Sequence, residues 1–306
     1  MKRFSLLFLL ITSFVLTNCA FRPVPNTQND KFSFVFMTDI HVQPELKAGE
    51  GFKQAIDSIN SIKPNFVITG GDLIMDALGV GFPRADSLFN LYDSLTKNIE
   101  SPLYNTIGNH DVFGLYTKSG VDTADKNYGK EIFKKRFGNG NTYSSFDHKG
   151  WHFILLDAIG FTEDRTYFGN IDSLQMEWIK TDLAKVDKKT PIVISTHIPF
   201  LSAGMQVLEG GNAAFSSGGT VGNSHKVLEL FKDHNLRIVL QGHLHIVEEI
   251  IVKNVHFITA GAVSAKWWQG LRQGFAEGYA VFEVDGNNFS WKYKTYGWKA
   301  VEVEKK

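Results

Sequence analysis

Short apolar stretches in this sequence end repeatedly in clusters of aspartate, asparagine and histidine, the residue types that bind metal ions. Five such clusters occur, each directly after an apolar run. They are Thr38-Asp39-Ile40-His41, Gly70-Gly71-Asp72, Gly108-Asn109-His110-Asp111, Thr196-His197-Ile198-Pro199 and Gly242-His243-Leu244-His245. Carboxylate, amide and imidazole groups form a ligand set that suits manganese, iron or zinc better than calcium or copper(I). The sequence therefore predicts a transition-metal site.

The candidate ligands are too numerous for one ion. They are Asp39, His41, Asp72, Asn109, His197, His243 and His245. A single transition metal usually takes fewer protein ligands, whereas two ions bridged by one carboxylate use this set comfortably. The Asp-x-His and His-x-His spacings place both side chains of each pair on one side of an extended segment. Glycines at positions 70, 71, 108 and 242 allow sharp turns and leave room beside a ligand.

The elements that must position these residues follow an α/β rhythm, in which apolar runs alternate with helical patterns. The predicted strands are residues 32–37, 65–69, 103–107, 151–156, 192–195, 237–240, 255–259, 279–284 and 289–296. Four helices are predicted within residues 52–62, 88–99, 172–183 and 224–235. Since ligands gather at the carboxyl ends of strands in open α/β sheets, the five clusters are expected to converge.

In their order and spacing, these five motifs resemble those of the calcineurin-like metallophosphoesterase superfamily. The resemblance spans residue 34 to about residue 262. It implies a four-layer α/β/β/α sandwich. It also implies that Asp39, His41, Asp72 and His245 hold one metal ion, while Asp72, Asn109, His197 and His243 hold the other. Asp72 would then bridge two divalent or mixed-valence ions of manganese, iron or zinc.

The same resemblance implies hydrolysis of phosphate esters by direct attack of a metal-bound hydroxide. Two ions about 3.5–4 Å apart can clamp the phosphoryl oxygens and activate the water, so no protein nucleophile is needed. His110 follows a ligand without completing the ligand set, and it would contact the phosphoryl group and help to protonate the leaving oxygen. Asp111 is expected to orient His110.

Within the superfamily, purple acid phosphatases have a tyrosine shortly after the bridging aspartate and lack the first-motif histidine. Here Leu73, Ile74 and Met75 follow Asp72, and His41 is present. The motifs therefore look closer to the branch that contains cyclic-nucleotide phosphodiesterases and glycerophosphodiesterases.

Aromatic residues adjoin the ligand-bearing loops. Phe200, Phe215, Trp267 and Trp268 are expected either to form an apolar wall for the organic part of a substrate or to pack in the core. The glycine-rich segment 209–222 has no secondary-structure period and is predicted to be a loop, either a surface excursion or a lid over the site.

Bulk composition limits the function classes. The chain has 306 residues and 43% hydrophobic content, and its 32 Lys and Arg residues balance 32 Asp and Glu residues. This balance disfavours a nucleic-acid partner and, with it, a nuclease of the same superfamily. With a single cysteine, the chain can form no intrachain disulfide.

The N-terminal segment predicts export. Met-Lys-Arg precedes an apolar run that is shorter than the roughly 20 residues that a bilayer-spanning helix needs. The run ends at Cys19 in a pattern that resembles a bacterial lipoprotein signal, although Asn18 departs from it. We predict a signal peptide at residues 1–18, lipid attachment at Cys19, a tether at residues 19–31 and a catalytic domain at residues 32–300. This arrangement would anchor the protein in the cell envelope.

Two alternatives stay open. Cleavage after Ala20 would give a soluble secreted protein, and a non-catalytic metal-binding lipoprotein would carry the same ligand set. Retention of His110 favours an enzyme that acts on small phosphate esters, because a scaffold has no need of a general acid.

Overall fold

The computed structural model describes residues 31–301. The predicted signal peptide and Cys19 lie outside this range and stay predictions, as does the tether up to residue 30. Lys31 is the first residue of a strand, which corrects the predicted end of the tether at residue 31. Within the described range, no helix combines the length and the apolar character needed to cross a membrane.

Two mixed β-sheets form the centre of the protein. The first sheet has the order β13-β12-β1-β2-β3, the second has the order β10-β11-β9-β8-β5-β4, and β6 pairs with β7 in a small ribbon. The strands are β1 Lys31–Met37, β2 Phe66–Thr69, β3 Leu103–Asn105, β4 Ser144–His148, β5 Trp151–Leu155, β6 Ile159–Phe161, β7 Tyr167–Gly169, β8 Pro191–Ser195, β9 Asn235–Gln241, β10 Val247–Val252, β11 Val255–Ala260, β12 Tyr279–Asp285 and β13 Asn288–Lys294.

Six α-helices accompany the sheets within residues 31–301. They are α1 Ala48–Ile62, α2 Phe82–Thr96, α3 Glu131–Arg136, α4 Ser173–Leu183, α5 Gly204–Glu209 and α6 Ser224–Leu230. Asp172 caps α4 by accepting a hydrogen bond from the Gln175 backbone, as expected for an aspartate before the first turn.

Alternation along the strands explains the layering. Phe34 and Phe36 of β1 face the second sheet and join an aromatic core between the sheets, which includes Phe153 of β5. Val35 and Met37, on the opposite face, join the core beneath the helices. Since successive strand residues point to opposite faces, one strand serves both layers. The predicted α/β/β/α sandwich is thus confirmed.

The short elements were not predicted, and their compositions explain why. β4 carries Ser, Asp and His at the edge of its sheet, while β10 contains two consecutive glutamates. β6, β7, α3 and α5 are too short for a period to be recognised. β4 and β10 form as edge strands because each pairs with a neighbouring strand, not because its own sequence has a strand pattern.

One buried histidine lies outside the candidate ligand set. His152 of β5 is 4% exposed, and its ring nitrogens contact carboxylate oxygens of Asp147 at 2.7 Å and Asp182 at 2.9 Å. Burial lowers the pKa of His152, but the hydrogen bonds to the two carboxylates outweigh it and raise the pKa above 6.5. Burial also raises the pKa of Asp182, but the bond to His152 keeps it below 3.8.

We expect Asp182→Asn to lower the free energy of unfolding more at about pH 5.5 than at about pH 9. The raised pKa of His152 gives stability that is present below pH 6.5 and lost as pH rises through the folded-state value. The lowered pKa of Asp182 gives stability that is present above pH 3.8. Urea denaturation at both pH values measures the difference. Asp57→Asn, at an exposed position on α1, should show no such dependence.

Candidate metal centre

The predicted ligands meet at one edge of the two packed sheets. β1, β2 and β3 run parallel in the first sheet, as do β8 and β9 in the second, so their carboxyl ends point the same way within each sheet. Thr106 and Ser195 join the two sheets at this edge through a hydroxyl–hydroxyl contact of 2.8 Å. All seven predicted ligands lie here, and all except His243 are at least 97% buried.

One group of donors comes from the ends of β1 and β9. His245 Nε2 lies 3.2 Å from Asp39 Oδ1 and 3.2 Å from His41 Nε2. His41 Nε2 also lies 3.5 Å from Asp72 Oδ2. Asp39, His41 and His245 each offer a ligand atom to a common point. Together with Asp72, these residues are the set implied for the first ion.

The second group of donors shares Asp72. Asp72 Oδ2 lies 3.2 Å from His197 Nε2, which is 3.0 Å from Asn109 Oδ1 and 3.2 Å from His243 Nδ1. Asp72, His197 and His243 form a separate cluster that also fits one ion. The same Asp72 oxygen therefore faces both groups, as a bridging carboxylate would.

The donor spacing fits transition-metal ions. Bonds of about 2.1 Å to nitrogen and oxygen place neighbouring ligand atoms of a tetrahedral site roughly 3.4 Å apart. The closest donor pairs lie 3.0 to 3.5 Å apart. Without a cation, so many buried carboxylates and imidazoles in contact would be costly. The residues present thus fit two ions of the predicted class.

Backbone carbonyls fix the orientation of two of the ligand imidazoles. The Nδ1 atom of His197 donates to the Gly70 carbonyl at 2.7 Å, and that of His245 donates to the Ala265 carbonyl. A proton held at Nδ1 leaves the Nε2 lone pair free to face an ion. His243 is different, because its Nδ1 atom points into the cluster.

Strong electrostatic coupling links the two groups. Burial opposes ionisation of Asp39, but the charge and hydrogen bond of His245 lower its pKa to about 2. Burial likewise opposes protonation of His197, but Asp72 raises its pKa to about 9. Burial and the charge of His197 lower the pKa of His243 to about 4. A proton on His197 therefore holds a position that a metal ion would compete for.

Left-handed backbone conformations bring the ligands into position. Asp39, His41, Asp72, His243 and His245 have positive φ angles of 54°, 47°, 52°, 71° and 56°. Asp and His tolerate this region better than most residues, yet each case is strained and depends on its surroundings. The Asp-x-His and His-x-His segments are therefore not regularly extended, which corrects the predicted local geometry.

Gly108 leaves the room that the bridging carboxylate needs. A Cβ atom at this position would collide with the backbone nitrogen and Oδ1 of Asp72. We expect Gly108→Ala to displace Asp72 and weaken manganese or zinc binding by about 10- to 100-fold. Calorimetric titration of the metal-free protein measures the affinity. Gly211→Ala, where a Cβ meets nothing within 4 Å, is the control and should bind metal normally.

His110 lies at the mouth of the cluster. Its side chain is 25% exposed, unlike the 2% exposed Asp72, and its Nε2 atom lies 4.0 Å from Asp72 Oδ2. The Nδ1 atom contacts the Met75 carbonyl at 2.6 Å, and its backbone N–H donates to Asp72 Oδ1 at 2.8 Å. The ring is thus held with Nε2 facing the site.

The predicted role of Asp111 is wrong. Its carboxylate accepts backbone hydrogen bonds from Leu73 at 2.9 Å and from Gly108 at 2.8 Å, so its oxygens are occupied away from the His110 ring. Burial and the charge of Asp72 raise the pKa of Asp111 to about 8. The Met75 carbonyl orients His110 instead. Asp111 fastens the two ligand-bearing loops to each other.

The aromatic candidates divide between the wall of a cavity and the core. The Trp267 ring packs on His245 with 4.8 Å between centroids, and Phe215 lines the adjoining cavity. Trp268 and Phe200 are buried core residues. The sequence patterns did not indicate Tyr167, whose ring centroid lies 6.2 Å from that of His243 in an edge-to-face arrangement. Burial and the charge of Asp72 raise its pKa, which keeps the phenol protonated.

The glycine-rich segment is anchored at several points. α5 ends at its first residue, Glu209. The Ser217 carbonyl accepts a hydrogen bond from Gly169 at 2.8 Å, and Val221 donates to Pro199 at 2.8 Å. Its Phe215 faces the cavity beside the metal centre. The segment therefore forms part of the wall of the site, and its movement as a lid stays a prediction.

Comparison with known proteins agrees with this geometry. The family model for calcineurin-like phosphoesterases matches residues 32–247. Purple acid phosphatase 22 of Arabidopsis thaliana is 26% identical over 236 residues, covering 71% of this chain and 48% of that protein. Purple acid phosphatase 15 of the same plant is 29% identical over 176 residues, which cover 54% of this chain and 28% of that protein. This chain spans about half or less of the length of the curated relatives it matches.

These relatives do not single out the phosphodiesterase branch that the first motif favoured. Even so, Leu73, Ile74 and Met75 follow Asp72, and none of them is a tyrosine. The similarity to purple acid phosphatases therefore does not extend to the tyrosine that distinguishes their metal site.

Solved structures share the fold. A dimetal phosphatase from Danio rerio superposes with a TM-score of 0.64 at 14% identity, over 87% of this chain and 96% of that one. An anchor protein of the Plasmodium inner membrane complex gives a TM-score of 0.50 at 17% identity, over 90% of each chain.

Proposed function

Because this chain belongs to the calcineurin-like phosphoesterase family, we propose that it is a dinuclear metal-dependent hydrolase of small phosphomonoesters or phosphodiesters. The observation that carries this proposal is the pair of donor groups that share one oxygen of Asp72, with His110 at their mouth. When bound there, two ions would polarise the phosphoryl oxygens and lower the pKa of coordinated water from about 15.7 toward 7.

The residues of the chain supply position and a proton. Asp39, His41 and His245 would hold one ion beside Asp72, and Asn109, His197 and His243 would hold the other. His110 Nδ1 is engaged by the Met75 carbonyl, so the doubly protonated ring presents its second proton at Nε2. A leaving oxygen beside Nε2 can take that proton, which makes His110 the proposed general acid.

The non-catalytic alternative has one supporting observation, the fold likeness to the Plasmodium anchor protein. Fold alone does not decide function. The partial exposure of His110 favours catalysis, because a purely structural histidine beside buried ligands would gain nothing from access to solvent. The balanced charge of the chain continues to disfavour a nuclease.

Hydrolysis by the metal-loaded protein tests the proposal. The purified protein is supplied with manganese or zinc and offered a phosphomonoester, a phosphodiester and DNA. We expect hydrolysis of at least one small ester and its loss in Asn109→Ala, because Asn109 Oδ1 lies within the second donor group. Asn287→Ala, in the exposed turn between β12 and β13, should remain active.

The remaining outcomes decide between the alternatives. Two bound metals without hydrolysis of any substrate would support the non-catalytic alternative. Hydrolysis that survives Asn109→Ala unchanged would contradict the assigned site. Cleavage of DNA alone would favour the nuclease.

A further inference from the structure

A cavity of about 250 Å³ adjoins the candidate metal centre. Its wall includes His243 and His245 of the metal site together with Leu208, Phe215, Trp267 and Arg272. A phosphoryl group held at the metal centre would therefore have the rest of its molecule beside this cavity. The chemistry of the cavity should then select among substrates.

Trp267 forms a fixed platform between the cavity and the metal ligands. Its ring centroid lies 4.8 Å from that of His245 and 6.0 Å from that of His41. Ala265, Trp267 and Trp268 have positive φ angles of 47°, 47° and 69°. The indole N–H of Trp268 ties this strained turn to the carbonyls of Ile40 and His41, each at 3.0 Å. Strain of this kind persists only where the surroundings hold it, and it concentrates at functional sites.

Arg272 places a positive charge over this platform. Its guanidinium carbon lies 5.3 Å from the centroid of the Trp267 ring. Its Nε atom is buried and has no hydrogen-bond partner among residues 31–301. Glu209, the acidic residue of the cavity wall, is exposed and forms no ion pair with Arg272 in the described part of the chain. Arg272 is partly buried and lines the cavity, so an anionic ligand there would give its other guanidinium donors the partner that no carboxylate of residues 31–301 provides.

We propose that Arg272 and Trp267 form a leaving-group subsite that selects phosphate esters carrying a second anionic group, either a phosphate or a carboxylate. The guanidinium donates hydrogen bonds to the second anion, and the indole packs against the organic part between the two charges. This inference rests on the proposed function, since the first phosphate is the one held at the metal centre. Arginine suits the subsite because its planar donors match both kinds of anion and it stacks on aromatic rings.

A matched set of substrates tests the subsite with the manganese-loaded protein. The set is phenyl phosphate, 4-carboxyphenyl phosphate and 1,4-phenylene bisphosphate, whose leaving groups differ in charge and in the type of second anion. We expect the native protein to prefer one or both of the substrates that carry a second anionic group over phenyl phosphate. Arg272→Gln should lower kcat/KM for those substrates by about 10- to 100-fold. It should change kcat/KM for phenyl phosphate little. Comparison of the carboxylate and phosphate arms identifies the anion.

Two further variants separate recognition from folding. Arg272→Lys keeps the charge but loses the planar donors, so it should restore only part of the preference. Arg237→Gln, at the opposite end of the sheet on β9, should keep the native preference. An equal loss on all three substrates would assign Arg272 a structural role, and a native protein without any preference would also overturn the subsite.

Binding distinguishes this inference from the proposed function. If no substrate is hydrolysed, the proposed function fails, and titration with phenylphosphonate and 4-carboxyphenylphosphonate still tests the subsite. Tighter binding of the carboxylated compound, lost in Arg272→Gln, would support it. Equal affinities would overturn it.

Discussion

Asp72→Asn is expected to lower phosphoester hydrolysis by roughly 1,000-fold or more, because weaker binding of both ions forfeits several kcal/mol of transition-state stabilisation. Asp72 Oδ2 lies 3.5 Å from His41 Nε2 and 3.2 Å from His197 Nε2, so one oxygen serves both donor groups. The amide of asparagine has a neutral oxygen that attracts cations less strongly. The bound metal content and kcat/KM for a small phosphate ester should therefore fall together.

A second ligand variant makes this expectation sharper. Asp39 belongs to one donor group only, so Asp39→Asn should reduce occupancy of one ion more than the other. Asp233→Asn, at an exposed position between α6 and β9, should leave metal content and rate unchanged. If the Asp72→Asn protein keeps two ions and its full rate, Asp72 is not the bridging ligand.

Much of the site could be predicted because its ligands follow simple rules of α/β folds. Polar residues directly after buried parallel strands lie at a common edge, and β1, β2, β8 and β9 obey this rule. The close approach of His41 and His245, with their Nε2 atoms 3.2 Å apart, follows from that topology although 204 positions separate them. Residue type and strand order therefore carried most of the information.

The remaining features depend on loops, where no period exists. Arg272 and Trp267 lie in a segment of strained turns, and their place beside His245 follows from contacts that only the folded chain provides. The sequence alone predicts that Asp111 orients His110. Its carboxylate instead accepts the Leu73 amide, 38 positions away, because a buried loop must satisfy its backbone donors.

His110→Gln should lower kcat by about 100- to 10,000-fold for an alkyl phosphate while both metal ions remain bound. The Nε2 atom of His110 is 4.0 Å from Asp72 Oδ2, at the exposed mouth of the site, and it is the proposed source of the leaving group's proton. An alkoxide is a poor leaving group and needs that proton, whereas a 4-nitrophenolate needs it much less. The loss should therefore be far smaller with 4-nitrophenyl phosphate, and the comparison of the two substrates measures the role of the proton.

The dependence on the leaving group separates a general acid from a residue that only binds phosphate. If His110 contacts the phosphoryl group alone, its replacement should slow both substrates by the same factor, and the assigned proton transfer would be wrong. His225→Gln, at an exposed position on α6, controls for the loss of a histidine and should leave both rates unchanged. Because the Met75 carbonyl engages Nδ1 and leaves Nε2 to face the site, the structure favours the unequal loss.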